Sequence, residues 1–242
     1  MKRSGNALFL ILIAVALFAA LSYAVTQSGR GGGNIDRETS ELAVSELVQY
    51  FSLVEGTVQK LLLFNGCNDT QISFWNDSDG NGTEDASDDY FNSNSPSDRA
   101  CHVFQPQGGG ISPKTGYNGN SSALFVYSAY HRLGSVGQSS PADTDLAIYV
   151  DIPEDMCRII NTRFTGYSDG FANEAQSPAH GIAVGSNRFF DGGYSASVAV
   201  SPDDGDFGAV GAQDFFRNNT HFTACHRNTT GVFSVYHVLI AR

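Results

Sequence analysis

The residues best suited to chemistry are the oxygen donors of a twelve-residue stretch, 77–88, in this chain of 242 residues. Oxygen-bearing side chains stand at positions 1, 3, 5, 9 and 12 of the stretch, and a glycine stands at position 6. Calcium loops of the EF-hand type order their ligands in this way, because Ca²⁺ prefers many oxygen donors at flexible distances. The stretch therefore predicts calcium as a cofactor, with ligands from Asp77, Asp79, Asn81, Thr83 (through its carbonyl), Asp85 and Asp88.

An acidic hairpin tip is the alternative interpretation of the same stretch. Asn81-Gly82 is a favoured turn pair, and the residues before the stretch read as a strand rather than as an EF-hand helix. Asp88 also replaces the bidentate glutamate that closes an EF-hand loop, so we expect weak calcium affinity of the extracellular grade. A second acidic run, 203–206, lacks the ligand spacing and predicts a solvated turn.

Three further patterns resemble catalytic or phosphate-binding signatures but lack the context that their chemistry needs. Residues 166–170 read G-x-S-x-G around Ser168, yet a predicted helix precedes them and a polar loop follows, the reverse of a nucleophile elbow. The glycine triplet 108–110 lacks the Gly-Lys-Ser of a phosphate-binding loop, and the six histidines show no H-E-x-x-H spacing. The sequence therefore favours a protein that is not an enzyme.

The four cysteines, Cys67, Cys101, Cys157 and Cys225, are far apart and form no C-x-x-C pair of the zinc-ribbon or thioredoxin kind. In an exported domain, two disulfides are the expected outcome, and free buried thiols are the alternative. Three connectivities exist, of which we favour Cys67–Cys101 and Cys157–Cys225, since these close two neighbouring loops. Chain-entropy arguments assign about 4 kcal/mol of stabilisation to each.

Six N-x-S/T sequons predict exposed, Asn-rich loops. They begin at Asn68, Asn76, Asn81, Asn120, Asn218 and Asn228. Two of them lie inside or beside the calcium-type stretch, where a glycan would compete with a metal ion.

The element that precedes all these residues is an apolar segment. Residues 7–25 carry no charge, and as a helix they would extend roughly 28 Å, close to the thickness of the hydrocarbon core of a bilayer. Lys2 and Arg3 precede the segment, so the positive-inside bias keeps the N-terminus in the cytoplasm and exports the rest. We therefore expect a single span over 6–25 in the inner or cytoplasmic membrane.

A cleaved secretory signal is the alternative for this segment. Ser22-Tyr23-Ala24 fits a signal-peptidase site, although the apolar run is longer than the usual 7–15 residues. Both interpretations place the C-terminal domain outside the cytoplasm.

Next comes a predicted glycine-rich hinge over 26–35, since each glycine destabilises a helix by ~1 kcal/mol relative to alanine. An amphipathic helix is predicted over 36–63, because apolar residues recur there at spacings of three and four. These residues are Val44, Leu47, Phe51, Val54, Val58 and Leu61. We favour a core spine packed on its own domain; a seam shared with neighbouring subunits is the alternative.

The remaining chain, 64–242, reads as a disulfide-stapled, β-rich domain. Short β-branched and aromatic runs between turn residues predict strands over 71–75, 123–130, 146–152, 182–184, 195–200, 221–225 and 232–240. A short helix is predicted after Pro153, with Met156, Ile159 and Ile160 on its apolar side. A long helix followed by strands without βαβ alternation predicts an α+β fold with an antiparallel sheet.

The net charge of −11 excludes nucleic acid as a partner, because phosphates would be repelled. The hydrophobic content of 41% is ordinary for a folded domain.

The order of these features resembles type IV pilin-like subunits, including the pseudopilins of secretion systems. The shared features are a basic leader over 1–5 ending in Gly5, an apolar helix directly after it, an amphipathic helical half and a disulfide-closed β region. Residues 152–160, where Pro153 precedes Cys157, are similar to the segment that opens the closed loop in some type IVb pilins.

The resemblance implies a non-enzymatic filament subunit that assembles with its own copies or related subunits through the N-terminal helix. It also implies leader cleavage between Gly5 and Asn6, and some pseudopilins carry a structural calcium. The chain departs from the family pattern at Asn6, usually aromatic or similar, and at Leu10, where the fifth mature residue is usually glutamate.

A membrane-tethered or secreted monomeric binding module, similar to an adhesin, is the alternative function. Its contacts would come from aromatic residues in loops, namely Tyr117, Tyr127, Tyr130, Phe189, Phe190, Phe215 and Phe216.

Overall fold

The computed structural model of the chain describes residues 5–28, 32–77, 80–117, 124–131, 144–166, 189–194, 221–227 and 232–242. They belong to two compact units, Met1–Glu41 and Leu42–Arg242. The larger unit contains helices and an antiparallel sheet, so the predicted α+β class is confirmed.

The smaller unit is helical. Helix α1 covers Gly5–Ser28, and helix α2 (Gly32–Phe64) begins in this unit and continues into the larger one. Leucine and alanine, both strong helix formers, dominate α1. Within the described residues, no helix combines the length and hydrophobicity that a membrane span requires.

The apolar stripe of α2 lies in the core of the larger unit. Its six predicted residues, Val44, Leu47, Phe51, Val54, Val58 and Leu61, are at most 1% exposed. The helix ends where the N–H of Cys67 donates to the carbonyl of Leu61 and Gly66 adopts a φ of 69°. This is a Schellman cap, which needs a residue that tolerates the left-handed region. The stripe is therefore an intramolecular spine along these turns.

Four antiparallel strands form the sheet against which this spine packs. They are β1 (Val126–His131), β2 (Asp145–Ile152), β3 (Thr223–Arg227) and β4 (Phe233–Ile240), in the order β1-β2-β4-β3. β4 pairs with both β2 and β3, so Tyr236 lies opposite Tyr149 on one side and Ala224 on the other. Four predicted strands, 123–130, 146–152, 221–225 and 232–240, correspond to these elements, while 182–184 and 195–200 lie outside the described residues.

The strand predicted over 71–75 is wrong. Asp69–Gln71 forms a 3-10 turn, and only Ser73 makes an isolated bridge, to His102. The side-chain amide of Asn92 donates to the carbonyls of Thr70 and Ile72 at 2.9 and 2.8 Å. A side chain therefore occupies carbonyls that a neighbouring strand would otherwise use.

Helix α3 covers Glu154–Phe164 and packs on β3. Pro153 is its N-cap, and Met156 and Ile160 are buried as predicted. The side chain of Asn161 donates to the carbonyl of Cys225 and accepts from its N–H, both at 2.8 Å, so it pairs with the backbone as a strand would.

Two disulfides fasten these elements, as predicted. Cys67–Cys101 joins the end of α2 to a turn, with Cα atoms 5.8 Å apart. Cys157–Cys225 joins α3 to β3, with Cα atoms 5.4 Å apart.

Residues 67–77 and 80–117, here called the loop lobe, are folded without helices or strands beyond the short turn and the bridge. Packing between aromatic side chains, rather than hydrogen-bonded strand pairing, holds this lobe together. Phe74 stacks on Tyr127 with ring centroids 4.2 Å apart and meets Tyr90, Phe104 and Phe190 edge-on. The lobe is thereby joined to β1 through one shared aromatic cluster.

Candidate functional site

Several of the predicted calcium ligands accept hydrogen bonds from backbone N–H groups of their own loop. Asp77 accepts the N–H of Gly82 at 3.0 Å, and Asn81 accepts the N–H of Thr83 at 2.6 Å. Asp85 accepts from the N–H and the hydroxyl of Ser87, and these contacts, more than the hydrogen bond from Asn81, lower its pKa. Asp79 lies outside the described residues. Side-chain oxygens of Asp77, Asn81 and Asp85 are thus used in local turns of their own loop.

Asp88, the last predicted ligand, points into the lobe instead. It is only 8% exposed, and its Oδ2 accepts from the Trp75 indole at 2.8 Å and from the N–H of Asp85 at 3.1 Å. In the described part of the chain, no three His, Cys, Asp or Glu side chains are grouped so that they could hold a metal ion. The calcium site stays a prediction.

A buried histidine lies beside this loop. His102 Nε2 is 3.3 Å from Glu84 Oε2, and the His102 side chain is completely buried. Yet neither ring nitrogen makes a hydrogen bond within the described residues, and the same is true of Glu84 Oε1 and Asp88 Oδ1. Burial and, secondarily, the nearby Arg99 lower the pKa of His102 to about 4, so the ring is neutral at neutral pH.

The pKa of Glu84 moves in the opposite direction. Burial raises it, and the positive charge of Arg99 opposes that effect. Arg99 also lies over the Trp75 ring, with its guanidinium carbon 4.4 Å from the centroid. The guanidinium of Arg99 thus lies where its positive charge offsets the negative charge of Glu84.

A second histidine–glutamate pair joins α2 to the sheet. His237 Nε2 is 3.1 Å from Glu55 Oε2, its Nδ1 is 2.6 Å from the Thr223 hydroxyl, and its ring stacks on Phe51. A neutral ring with its proton on Nε2 satisfies both contacts, since it then donates to the carboxylate and accepts from the hydroxyl. Burial lowers the pKa of His237, and Glu55 opposes this.

A hydroxyl, an imidazole and a carboxylate in series can activate a nucleophile. Thr223 is only 7% exposed, however, and stands directly opposite His237 in the pairing of β3 with β4. Pairing of the strands therefore accounts for the contact, and the chain of hydrogen bonds ties three elements together. Sequence spacing could not predict the Glu55–His237 contact, because the two residues are 182 positions apart. Only the alignment of the two predicted strands could have indicated the Thr223–His237 pair.

Four of the aromatic residues proposed as an adhesive surface have described side chains, and three of these belong to the core. Tyr117, Tyr127 and Phe190 are buried and therefore unavailable to a ligand, and Phe189 is half-buried. The side chain of Tyr130, together with 215–216, lies outside the described residues.

The glycines of 108–110 have a structural role. The N–H of Gly109 donates to the carbonyl of His102 at 2.8 Å, and a Cβ on Gly108 would lie 2.2 Å from that same oxygen. A Cβ on Gly109 would likewise lie 2.3 Å from the Val103 carbonyl oxygen, so these two glycines are required for close backbone packing beside the buried histidine. Ser168 lies outside the described residues.

Most of the exposed large apolar residues of the described chain lie on the two long helices. Every described side chain of α1, from 9 to 23, is exposed, and Gly5 and Asn6 stand in its first turn. On α2 the exposed large apolar residues are Leu42, Leu53, Leu63 and Phe64, which are 71%, 50%, 73% and 81% exposed. Leu42, Leu53 and Phe64 recur every eleven positions, about three helical turns, so these three share one face.

No protein-family model matches the chain, and neither a curated protein nor a solved structure is significantly similar to it.

Proposed function

We propose that this chain is a structural subunit of a type IV pilus-like or secretion pseudopilus-like filament, displayed outside the cytoplasm. The observation that carries the proposal is the exposed apolar surface of α1. Its large side chains, from Phe9 to Tyr23, are 40–73% exposed. A helix that is apolar on all sides needs a hydrophobic environment, either lipid or a bundle of similar helices.

The larger unit has a hydrophobic core of its own, which supports the proposal. Its core is filled by the α2 stripe, the sheet and the loop lobe, all drawn from Leu42–Arg242. The proposal assigns assembly to helix α1, whose described side chains are all exposed. Two disulfides and no free cysteine fit a domain that works in an oxidising compartment.

The proposal assigns a role to each part of the N-terminal segment. A prepilin peptidase would cut between Gly5 and Asn6, and 6–25 would pack against the same segment of neighbouring subunits in the filament. Leu10 replaces the glutamate that usually neutralises a neighbouring subunit's terminal amine. We therefore expect the terminal amine in this filament to rely on another counter-charge.

The test is to produce the full chain with and without a prepilin peptidase and to sequence its mature N-terminus. The proposal expects Asn6 as the first residue only when the peptidase is present. An unprocessed Met1 in both samples, or an N-terminus near Val25, would contradict it.

Assembly itself is tested by placing a charge on α1. Ile11→Lys should abolish filament recovery, because a lysine in an apolar bundle carries a large desolvation cost. Ser52→Lys is the matched control, since Ser52 is exposed on α2 and the new charge remains in water. Equal recovery of both variants would show that α1 is not the assembly surface.

A further inference from the structure

Three of the six sequons lie at least partly within the described residues, and their asparagines, Asn68, Asn76 and Asn81, are all exposed. Only at Asn81 are all three sequon residues, Asn81, Gly82 and Thr83, exposed together. The sequon that begins at Asn68 continues into a half-buried Thr70, whose carbonyl accepts the Asn92 side chain. Ser78, the last residue of the Asn76 sequon, lies outside the described residues.

The backbone around Asn81 leaves room for a bulky group. Gly80 and Gly82 both adopt positive φ, 74° and 77°, which places Asn81 at the tip of a tight turn. A Cβ built on either glycine would meet no atom within 4 Å. Loop tips of this kind accept insertions and modification enzymes because little packing is lost there.

The Asn81 side chain is also oriented. Its Oδ1 accepts the N–H of Thr83 at 2.6 Å. The amide oxygen therefore faces the backbone of its own sequon. This contact holds the Asn81 side chain and the Thr83 residue of the sequon in a fixed mutual arrangement.

We propose that Asn81 carries an N-linked glycan in the exported protein, an inference that rests on the export included in the proposed function. The donor would be an oligosaccharide joined through pyrophosphate to a polyprenyl lipid, and an oligosaccharyltransferase would catalyse the step. The amide nitrogen attacks C1 of the first sugar, the C1–O bond to pyrophosphate breaks, and a C1–N bond forms. The amide loses one proton and the pyrophosphate leaves with the electron pair, so no oxidant or reductant is needed.

A glycan at Asn81 would also change the interpretation of 77–88. Asn81 stands at position 5 of the predicted twelve-residue calcium loop, and a bulky substituent on its amide would compete with a cation that draws those side chains together. The modified loop would display a polar chain on the surface of the lobe.

The experiment is peptide mapping by mass spectrometry of full-length protein isolated from the membranes and filaments of its own cells. The inference expects a hexose-containing mass increment on the peptide containing Asn81, lost in Asn81→Gln and in Thr83→Ala but retained in Thr83→Ser. Asn94→Gln is the matched control, because Asn94 is exposed in the same lobe but is followed by Ser95-Pro96 and forms no sequon. Its increment should equal that of the wild type.

An unmodified Asn81 in protein whose disulfides are formed and whose N-terminus is processed would overturn this inference and leave the proposed function standing. Reduced thiols together with an intact Met1 would overturn both. Retention of the increment in Thr83→Ala would also contradict the inference, because the group would then be attached without reference to the sequon.

Discussion

Two histidines face glutamates in the described part of this protein, His102 fully buried and His237 partly buried, and they are held in opposite ways. His237 lies between α2 and the sheet with both ring nitrogens hydrogen-bonded, to Glu55 and to Thr223. His102 lies in the loop lobe near Glu84 with neither nitrogen bonded within the described residues. The same two residue types therefore form a hydrogen-bonded pair between α2 and the sheet. In the loop lobe they form a buried pair in which the histidine nitrogens have no hydrogen bond within the described residues.

The difference follows from the elements around each pair. Strand pairing places Thr223 opposite His237, so regular structure supplies a partner at the correct distance. The loop lobe has no ladder that fixes side-chain positions, and it is held by the Cys67–Cys101 disulfide and by aromatic packing around Phe74. Regular structure thus supplies the hydrogen-bond partner of His237, whereas His102 is held in the lobe by burial.

Phe74→Ala is the substitution with the largest expected effect, and it tests whether the aromatic cluster holds the loop lobe together. Removal of a fully buried phenylalanine costs about 3–5 kcal/mol, and Phe74 is 0% exposed at the centre of the aromatic cluster. We expect a loss of that size in urea unfolding of the oxidised protein. Trp75, the single tryptophan, lies in the lobe and reports on it by fluorescence. Phe222→Ala, at a residue 51% exposed, is the control and should change stability little.

If Phe74→Ala costs less than about 1 kcal/mol, the lobe does not depend on its aromatic cluster and the contrast fails.

Acid should destabilise the lobe through His102. Its pKa in the folded protein is about 4, below the 6.5 of an ordinary histidine, so between these values the unfolded chain binds a proton that the folded chain does not. The contribution is complete above pH 6.5 and falls as pH approaches 4, by up to about 3 kcal/mol. The raised pKa of Glu84 acts in the opposite sense, and the charges of Arg99 and Asp98 also face the ring.

His102→Leu isolates the histidine from these neighbours. The variant should lose part of the acid sensitivity while its stability at pH 7 changes less, as followed by urea titrations at pH 7, 5.5 and 4.5. An unchanged pH dependence would show that His102 is not buried and neutral.

The sequence predicted what local periodicity and chain order determine. The α2 stripe follows from the 3.6-residue repeat, and β2 and β4 follow from their β-branched runs. It could not indicate that Asn92 would occupy the carbonyls of the predicted strand 71–75, or that Asp88 would turn inward to Trp75. Asn92 donates to backbone carbonyls and Asp88 accepts from a side chain, and both partners are more than ten residues away along the chain, where no spacing rule applies.

Thr223→Val tests the satisfied pair. Valine keeps the shape but leaves His237 Nδ1 buried without its donor, which costs about 1–2 kcal/mol. Thr223→Ser is the control, since it keeps the hydroxyl and should retain most of the stability. Equal unfolding free energies for the valine variant and the wild type would show that the hydrogen bond contributes nothing net.

The smallest expected effect is that of Glu55→Gln. The Glu55 side chain is 41% exposed, so water screens its charge, and the glutamine oxygen can still accept from Nε2. We expect a stability change below about 1 kcal/mol. The pKa of His237 should nevertheless fall, because the carboxylate that opposes the effect of burial is gone. Titration of the His237 ring by NMR measures this directly. A pKa that rises in Glu55→Gln would mean that the carboxylate does not stabilise the charged ring, and the tie between α2 and the sheet would then rest on Thr223 and on Phe51 stacking alone.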